Sequence, residues 1–291
     1  MFARSSPRLL IPLRKRGHKV PPHAPTSGVL EIGWAQMLWA ALAVLVSGGA
    51  SVWLGLRLER SLFVAALRCV VQLLLIGYVL RWVFGLHHPL LLAGVLALMT
   101  GAASHAAWDR SARTYRGAGV HAFVVLAACG LLTTAFITGA IVGAQPWWTP
   151  RYAVPIFGMA LGSALTGVSL CLDSLLEAFD ERRHEIDAEL ALGATAWEAA
   201  RAPVAAAVRR GIVPAMNGMA VAGLVSLPGM MTGQILAGVD PAIAVRYQIV
   251  LLILPTAATV LGCIGAALLA CRVAFTAHAQ LRPERITRRK P

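Results

Sequence analysis

The sequence predicts an all-α, polytopic integral membrane protein of about seven transmembrane helices, with a cytoplasmic coupling-helix loop. Three observations carry that fold class. Of 291 residues, 58% are hydrophobic and 13% charged, and mean hydropathy is +0.70. That charge content is about half of a soluble domain's, too little to cover so much apolar surface in water. Apolar stretches of a length that crosses the roughly 30 Å hydrocarbon core recur along the chain. Lys and Arg alternate between successive loops, the pattern that sets membrane orientation.

The predicted spans cover residues 34–56, 62–84, 89–107, 120–144, 152–176, 212–236 and 243–271. They lie in a transmembrane domain over 34–272, flanked by an N-terminal extension (1–33) and a basic cytoplasmic tail (273–291). Arg57 and Arg60 mark the first loop, Arg110, Arg113 and Arg116 the third, and Arg182, Arg183, Arg201, Arg209 and Arg210 the fifth. The second, fourth and sixth loops are poor in basic residues. The bias places the odd loops and the C-terminus in the cytoplasm and the N-terminus outside a cell (inner) membrane. The extension opposes this with Arg4, Arg8, Arg14, Lys15, Arg16 and Lys19, but these stand well before the first span, where the bias weakens. Five prolines in the extension predict disorder. A signal peptide cleaved near Ser47–Ser51 is a rival reading, disfavoured because the apolar run continues past those residues.

Net charge is +13, concentrated at termini that flank membrane spans. Anionic lipid headgroups are therefore the expected partner, and nucleic acid is not. The five cysteines, Cys69, Cys129, Cys171, Cys263 and Cys271, sit in apolar runs without a CxxC pair and read as buried thiols.

Ionisable and strongly polar groups within spans are candidates for function. Arg68 lies near the cytoplasmic end of the second span, where snorkelling also accounts for it, and Gln72 lies one turn deeper. His105 and Asp173 stand near span ends. No His, Cys or carboxylate cluster has metal-site spacing, so a metal site stays unassigned.

Residues 177–210 form the longest and most charged loop. Leu172, Leu175, Leu176, Phe179, Ile186 and Leu190 recur at helical spacing, so the fifth span continues as an amphipathic helix. Arg182 with Glu185, and Arg183 with Asp187, are spaced for pairs within that helix. Gly193 suits the left-handed residue that ends a helix, and Thr195 with Glu198 forms a capping box that starts the next. Trp197 then falls in the first turn of the new helix. A connector at the lipid interface anchored by Trp197 is the plainer reading of the same pattern.

The run from Asp187 to Trp197 resembles the EAA loop of ABC-transporter permeases. There a glycine stands six residues after an acidic one, a spacing that Asp187 and Gly193 keep, while Glu189 replaces the second alanine. The resemblance implies a coupling helix that docks on an ATPase subunit, with Asp187, Glu189, Gly193, Thr195, Trp197 and Glu198 at the contact. A second set of residues resembles the FetB family of permeases: Gly223 to Gln234, Ala237 to Pro241, Tyr247 to Ile249, Arg68 with Gln72 and Leu73, Gly77 to Leu80, and Ala106 to Trp108. That family is linked to iron export and metal stress, with plant relatives linked to aluminium tolerance. It implies a permease subunit exporting iron or another metal. Seven spans are few for a whole transport pathway, so two copies of the permease are expected. Lys occurs only at 15, 19 and 290, so no P-loop exists. ATP and Mg²⁺ would belong to a partner ATPase; no cofactor and no catalytic residue is expected on this chain.

Pro214, Pro228, Gly229 and Gly233 in the sixth span predict a break near 226–233. Ser226, Pro228, Gly229, Met230, Met231 and Gln234, with Arg68 and Gln72, are the pathway candidates. A packing kink through Gly229 and Gly233 is the competing reading. At the other boundary, Asp240 and Pro241 read as cap and first residue of the seventh span. An intramembrane enzyme is the alternative class, with Ser226 as its best nucleophile, but no partner base, GxSxG or HExxH is present. A passive channel is a third class and gives the 177–210 loop nothing to do.

Overall fold

The computed structural model describes residues 33–85, 88–111, 113–276, 280–282 and 286–288. The expected disorder of the extension falls outside these residues, apart from Gly33. The helices are α1 (Trp34–Trp53), α2 (Glu59–Val83), α3 (Pro89–Arg110), α4 (Ala118–Ala135), α5 (Pro150–Glu181), α6 (Arg183–Ala191), α7 (Ala196–Val221), α8 (Gly229–Leu236) and α9 (Pro241–Ala274). α4 runs on into a π-helical segment, Phe136–Ile141. Two short strands, β1 (Arg113–Tyr115) and β2 (Ile286–Arg288), pair antiparallel.

Six helices are long and apolar enough to cross a membrane: α1 to α5, with the π segment completing α4, and α9. The predicted sixth span, 212–236, is not one helix. α7 begins at Ala196, so residue 212 lies in its middle, and it ends at Val221. Glu198, Arg201, Arg209 and Arg210 fall within its first fifteen residues, and the seven residues after Val221 belong to no helix. The backbone is therefore divided where one apolar run was expected.

The core is built from α3, α4, α5, α7 and α9, and α5 lies at its centre. Phe157, Phe179, Leu175 and Leu176 of α5 are fully buried, as is Leu126 of α4. α9, packed against α4, α5 and α7, buries a run of small residues, among them Ala258, Gly262, Ala266, Ala267 and Ala270. Small side chains let helix backbones approach where lipid supplies no hydrophobic drive for association. At about 48 Å, α5 is longer than the membrane core and projects beyond it. The projection carries Glu177, Asp180 and Glu181, which surround the nearly buried Arg113 of β1 at 3.3, 3.2 and 3.9 Å.

α1 and α2 form a hairpin beside this core. The Oγ of Ser51 closes its turn by accepting from the Leu58 amide at 3.0 Å. Apart from Val83 at its end, α2 buries no residue in the chain. Its apolar surface faces lipid or another polypeptide.

Two further expectations need correction. The fifth span does not run unbroken to Leu190: α5 stops at Glu181, and Arg182 adopts a non-helical conformation before α6. The Arg182–Glu185 and Arg183–Asp187 pairs form nonetheless, at 2.6 and 3.4 Å. The 273–291 segment is not simply a tail, because Phe275 and Leu281 are buried and β2 pairs with β1. Arg113, Arg210 and β2 thus meet around the end of α5, and Arg60 at the start of α2 lines a cleft with Asp109 of α3.

Candidate functional site

Two regions contain the sequence-predicted candidates. The first is the turn between α6 and α7. At the end of α6 the amides of Leu192, Gly193 and Ala194 donate to the carbonyls of Ala188, Leu190 and Glu189 at 3.0, 3.1 and 3.1 Å. Gly193 takes φ +95°, the left-handed conformation the turn requires, with no atom within 4 Å of a Cβ added there. Thr195 opens α7. Its Oγ1 accepts from the Glu198 amide at 3.3 Å, and its own amide and hydroxyl donate to Glu198 Oε2, each at 2.7 Å. Those bonds, the amide's first, hold the Glu198 carboxyl below its ordinary pKa.

The capping box fixes the angle at which α7 leaves the turn. Trp197 follows in its first turn, 50% exposed, and Leu192 at the tip is 88% exposed. Beside Trp197 a cavity of about 460 Å³ opens between the start of α7 and Leu268, Arg272 and Phe275 at the end of α9. Two apolar side chains therefore stand out from a charged turn next to a groove. Asp187 and Glu189 lie on α6, six and four residues before Gly193, and Asp187 is held by Arg183. Leu192 was not among the sequence candidates; an apolar residue directly before the turn glycine was the available signal.

The second region is the break between α7 and α8. Gly223, at φ +83°, donates its amide to Ser226 O at 2.9 Å. The amides of Val225 and Ser226 turn back to Val221 O at 3.0 and 3.2 Å. Pro228 then caps α8. The break spans 222–228, earlier than the predicted 226–233, because proline and glycine at the start of a helix are tolerated where the first amides lack partners anyway. Gly229 and Gly233 lie inside α8 with nothing within 4 Å of a Cβ, so no close helix approach in this chain uses them. Ser226 is exposed, and Met231 is buried.

Met230 and Gln234 line a cavity of about 580 Å³ bounded by α8, the π segment, the first two turns of α5 and the stretch Arg246 to Leu251 of α9. Arg68 and Gln72 do not join them. They line a separate cleft of about 920 Å³ between α2 and α3, with Arg60, His105 and Asp109. Asp240 does cap α9, its Oδ1 accepting from the Ala242 amide at 2.8 Å. Among the described residues no group of three or more His, Cys, Asp or Glu side chains could hold a metal ion.

The profile of a family described as "Uncharacterised protein family (UPF0014)" matches residues 34–275. A UPF0014 membrane protein of Synechocystis is 34% identical over 259 residues, 87% of this chain and 98% of that protein. The probable iron export permease protein FetB of Escherichia coli is 30% identical over 233 residues, 78% of this chain and 86% of its own. Protein ALUMINUM SENSITIVE 3 of Arabidopsis thaliana is 30% identical over 248 residues, 85% and 88% of the two chains. No solved structure matches the chain.

Proposed function

The chain belongs to the UPF0014 family, and from that premise we propose that it is the permease subunit of an ABC exporter in the cell (inner) membrane. The observation that supports this best is the α6–α7 turn. Gly193 and the Thr195–Glu198 box stiffen it while Leu192 and Trp197 remain exposed. Two large apolar side chains held out from a stiff, charged turn suit a docking helix, while a lipid-interface connector accounts for Trp197 but not for the stiffening of the turn. ATP hydrolysis is assigned to a separate chain, since this sequence has no P-loop. Two copies of the permease would flank one pathway, and the α1–α2 hairpin, unburied in one chain, offers the surface for pairing.

The substrate class follows the relative named as a probable iron export permease: iron or another metal ion. In this reading the odd loops and C-terminus face the cytoplasm, and the 222–228 break gates the pathway. Co-expression with the ATPase encoded nearest to this gene tests it. The expected result is a complex stable through two affinity steps, with ATPase activity that rises in the presence of the exported metal. A partner ATPase that binds equally well when Leu192 and Trp197 are both alanine removes the turn from the interface.

A further inference from the structure

The 580 Å³ cavity beside α8 has a chemistry that transport of a metal ion does not explain. Its polar lining is Arg151, Tyr152, Gln234, Arg246 and Tyr247. No carboxylate lines it, and neither arginine has an ion pair or hydrogen bond among the described residues. The nearest acid in sequence, Asp240, caps α9. The starts of α5 and α8 contribute Arg151, Tyr152 and Met230 to its lining. Both arginines are exposed and unpaired among the described residues, so they are open to an anion from outside the chain.

The remaining walls are apolar, with Ile137, Ile156 and Leu251 forming a small buried cluster at their base. Gln234 adds a second demand. Its Oε1 is buried and accepts from no protein group. A bare anion satisfies the arginines but not this acceptor, which needs a hydroxyl or amine donor.

We propose that this cavity binds the phosphate headgroup of an anionic phospholipid bearing headgroup hydroxyls, such as phosphatidylglycerol, from the leaflet opposite the α6–α7 turn. Arg151 and Arg246 hold the phosphate, as guanidinium forks do in charge-assisted pairs. Rotation of the Gln234 side chain turns its Oε1 into the cavity, where a headgroup hydroxyl donates to it, and an acyl chain runs along the apolar wall. The bound lipid neutralises both arginines and ties α8 to α5 and α9. The site stands on the cavity alone and does not depend on the exporter reading.

Native mass spectrometry of the purified full-length chain tests it. Phosphatidylglycerol is compared with phosphatidylcholine of the same acyl chains and with phosphatidic acid, and glycerol 3-phosphate serves as the soluble competitor. One phosphatidylglycerol per chain should be retained in preference to phosphatidylcholine. Arg151→Gln with Arg246→Gln should weaken retention about tenfold or more, and Arg116→Gln at the opposite end of the bundle should leave it unchanged. Gln234→Leu should remove the preference for phosphatidylglycerol over phosphatidic acid while retaining both. Arg151→Lys keeps the charge and guards against a folding artefact, since it should retain most of the binding. Equal retention of phosphatidylcholine, equal loss with Arg116→Gln, or unaltered binding in the double variant overturns the site. Full displacement by glycerol 3-phosphate overturns the lipid as its source.

Discussion

Gly211 of α7 faces Gly167 of α5 so closely that a Cβ on Gly211 would lie 2.6 Å from the Gly167 carbonyl oxygen. The same Cβ would stand 2.9 Å from both Cys171 Cβ and Cys263 Sγ, and one on Gly167 would overlap the methyl group of Thr259. Three helices therefore meet at two glycines. Overpacking a filled core costs about 1–3 kcal/mol. Gly211→Ala should lose roughly that much stability in detergent or nanodiscs. Gly218→Ala, on the same helix with open space at its Cβ, should lose none. Thermal or SDS titration of the two variants checks the contrast.

Arg113 is the fixed point of the polar end. Its side chain is 11% exposed and is shared between Glu177, Asp180 and Glu181, while Glu177 also reaches Arg210 at 3.6 Å. Removing the cation leaves three crowded carboxylates on one helix. Because those carboxylates keep one-third or more of their exposure, water screens part of the loss. Arg113→Met should cost about 1–3 kcal/mol, and release β2 from β1. Limited proteolysis after residue 276 should accelerate in this variant before the bundle itself unfolds.

Much of this architecture was legible in the sequence. The Thr195–Glu198 box, the left-handed Gly193, the Asp240–Pro241 cap and the Arg–acid pairs of α6 are set by local chemistry over three or four residues, and they formed as read. The Arg113 cluster was not legible, because its partners lie more than sixty residues away. The division of the predicted sixth span was partly so. Pro228 announced a break, but averaging hydropathy over 212–236 hid the start of α7 in the charged loop and the loop at 222–228. The separation of Arg68 and Gln72 from α8 is a tertiary fact with no local signal.

The Glu198 carboxyl caps α7 with its pKa lowered by the Thr195 amide and hydroxyl. A carboxylate with a depressed pKa stabilises the fold above its unfolded-state value, and that contribution is lost as pH falls through the lower, folded-state value. The turn should thus be insensitive to pH near neutrality and loosen only under acid conditions. Hydrogen exchange of the Thr195 amide, followed on lowering the pH, should show protection lost in the wild type. In Glu198→Gln the amide should exchange at a rate independent of that titration.

Gly193 sits in a left-handed conformation that would strain any residue with a Cβ, although a Cβ there would meet nothing within 4 Å. Gly193→Ala should cost about 1–2 kcal/mol locally through its left-handed φ alone, and Gly193→Asn, tolerant of that region, less. If the turn docks on an ATPase, coupled ATPase activity should fall in the order Gly, Asn, Ala, Val, with expression and membrane insertion maintained. Equal activity across the series assigns the turn to connection only.

The pathway prediction rests on the break at 222–228 and can be read by cysteine accessibility. Cys69 is the exposed native cysteine, whereas Cys171 and Cys263 are packed against the Gly167–Gly211 contact. Cys69→Ala is accordingly the background to use, because replacing all five cysteines would disturb the core. Ser226 is exposed, Met230 lines the cavity beside α8, and Met231 points into the protein. Helices interrupted at membrane depth are tolerated where their backbone is covered by protein or lines a wet cavity, and in transporters they often mark the binding site. In the assembled transporter, Ser226→Cys and Met230→Cys should react with small water-soluble thiol reagents at rates that change about tenfold or more between ATP-bound and nucleotide-free states, if gating shifts the equilibrium by at least ~1.4 kcal/mol. Met231→Cys should stay unreactive in both states. Labelling that is identical with and without nucleotide at all three positions would leave the break as a fixed structural feature and place the gate elsewhere.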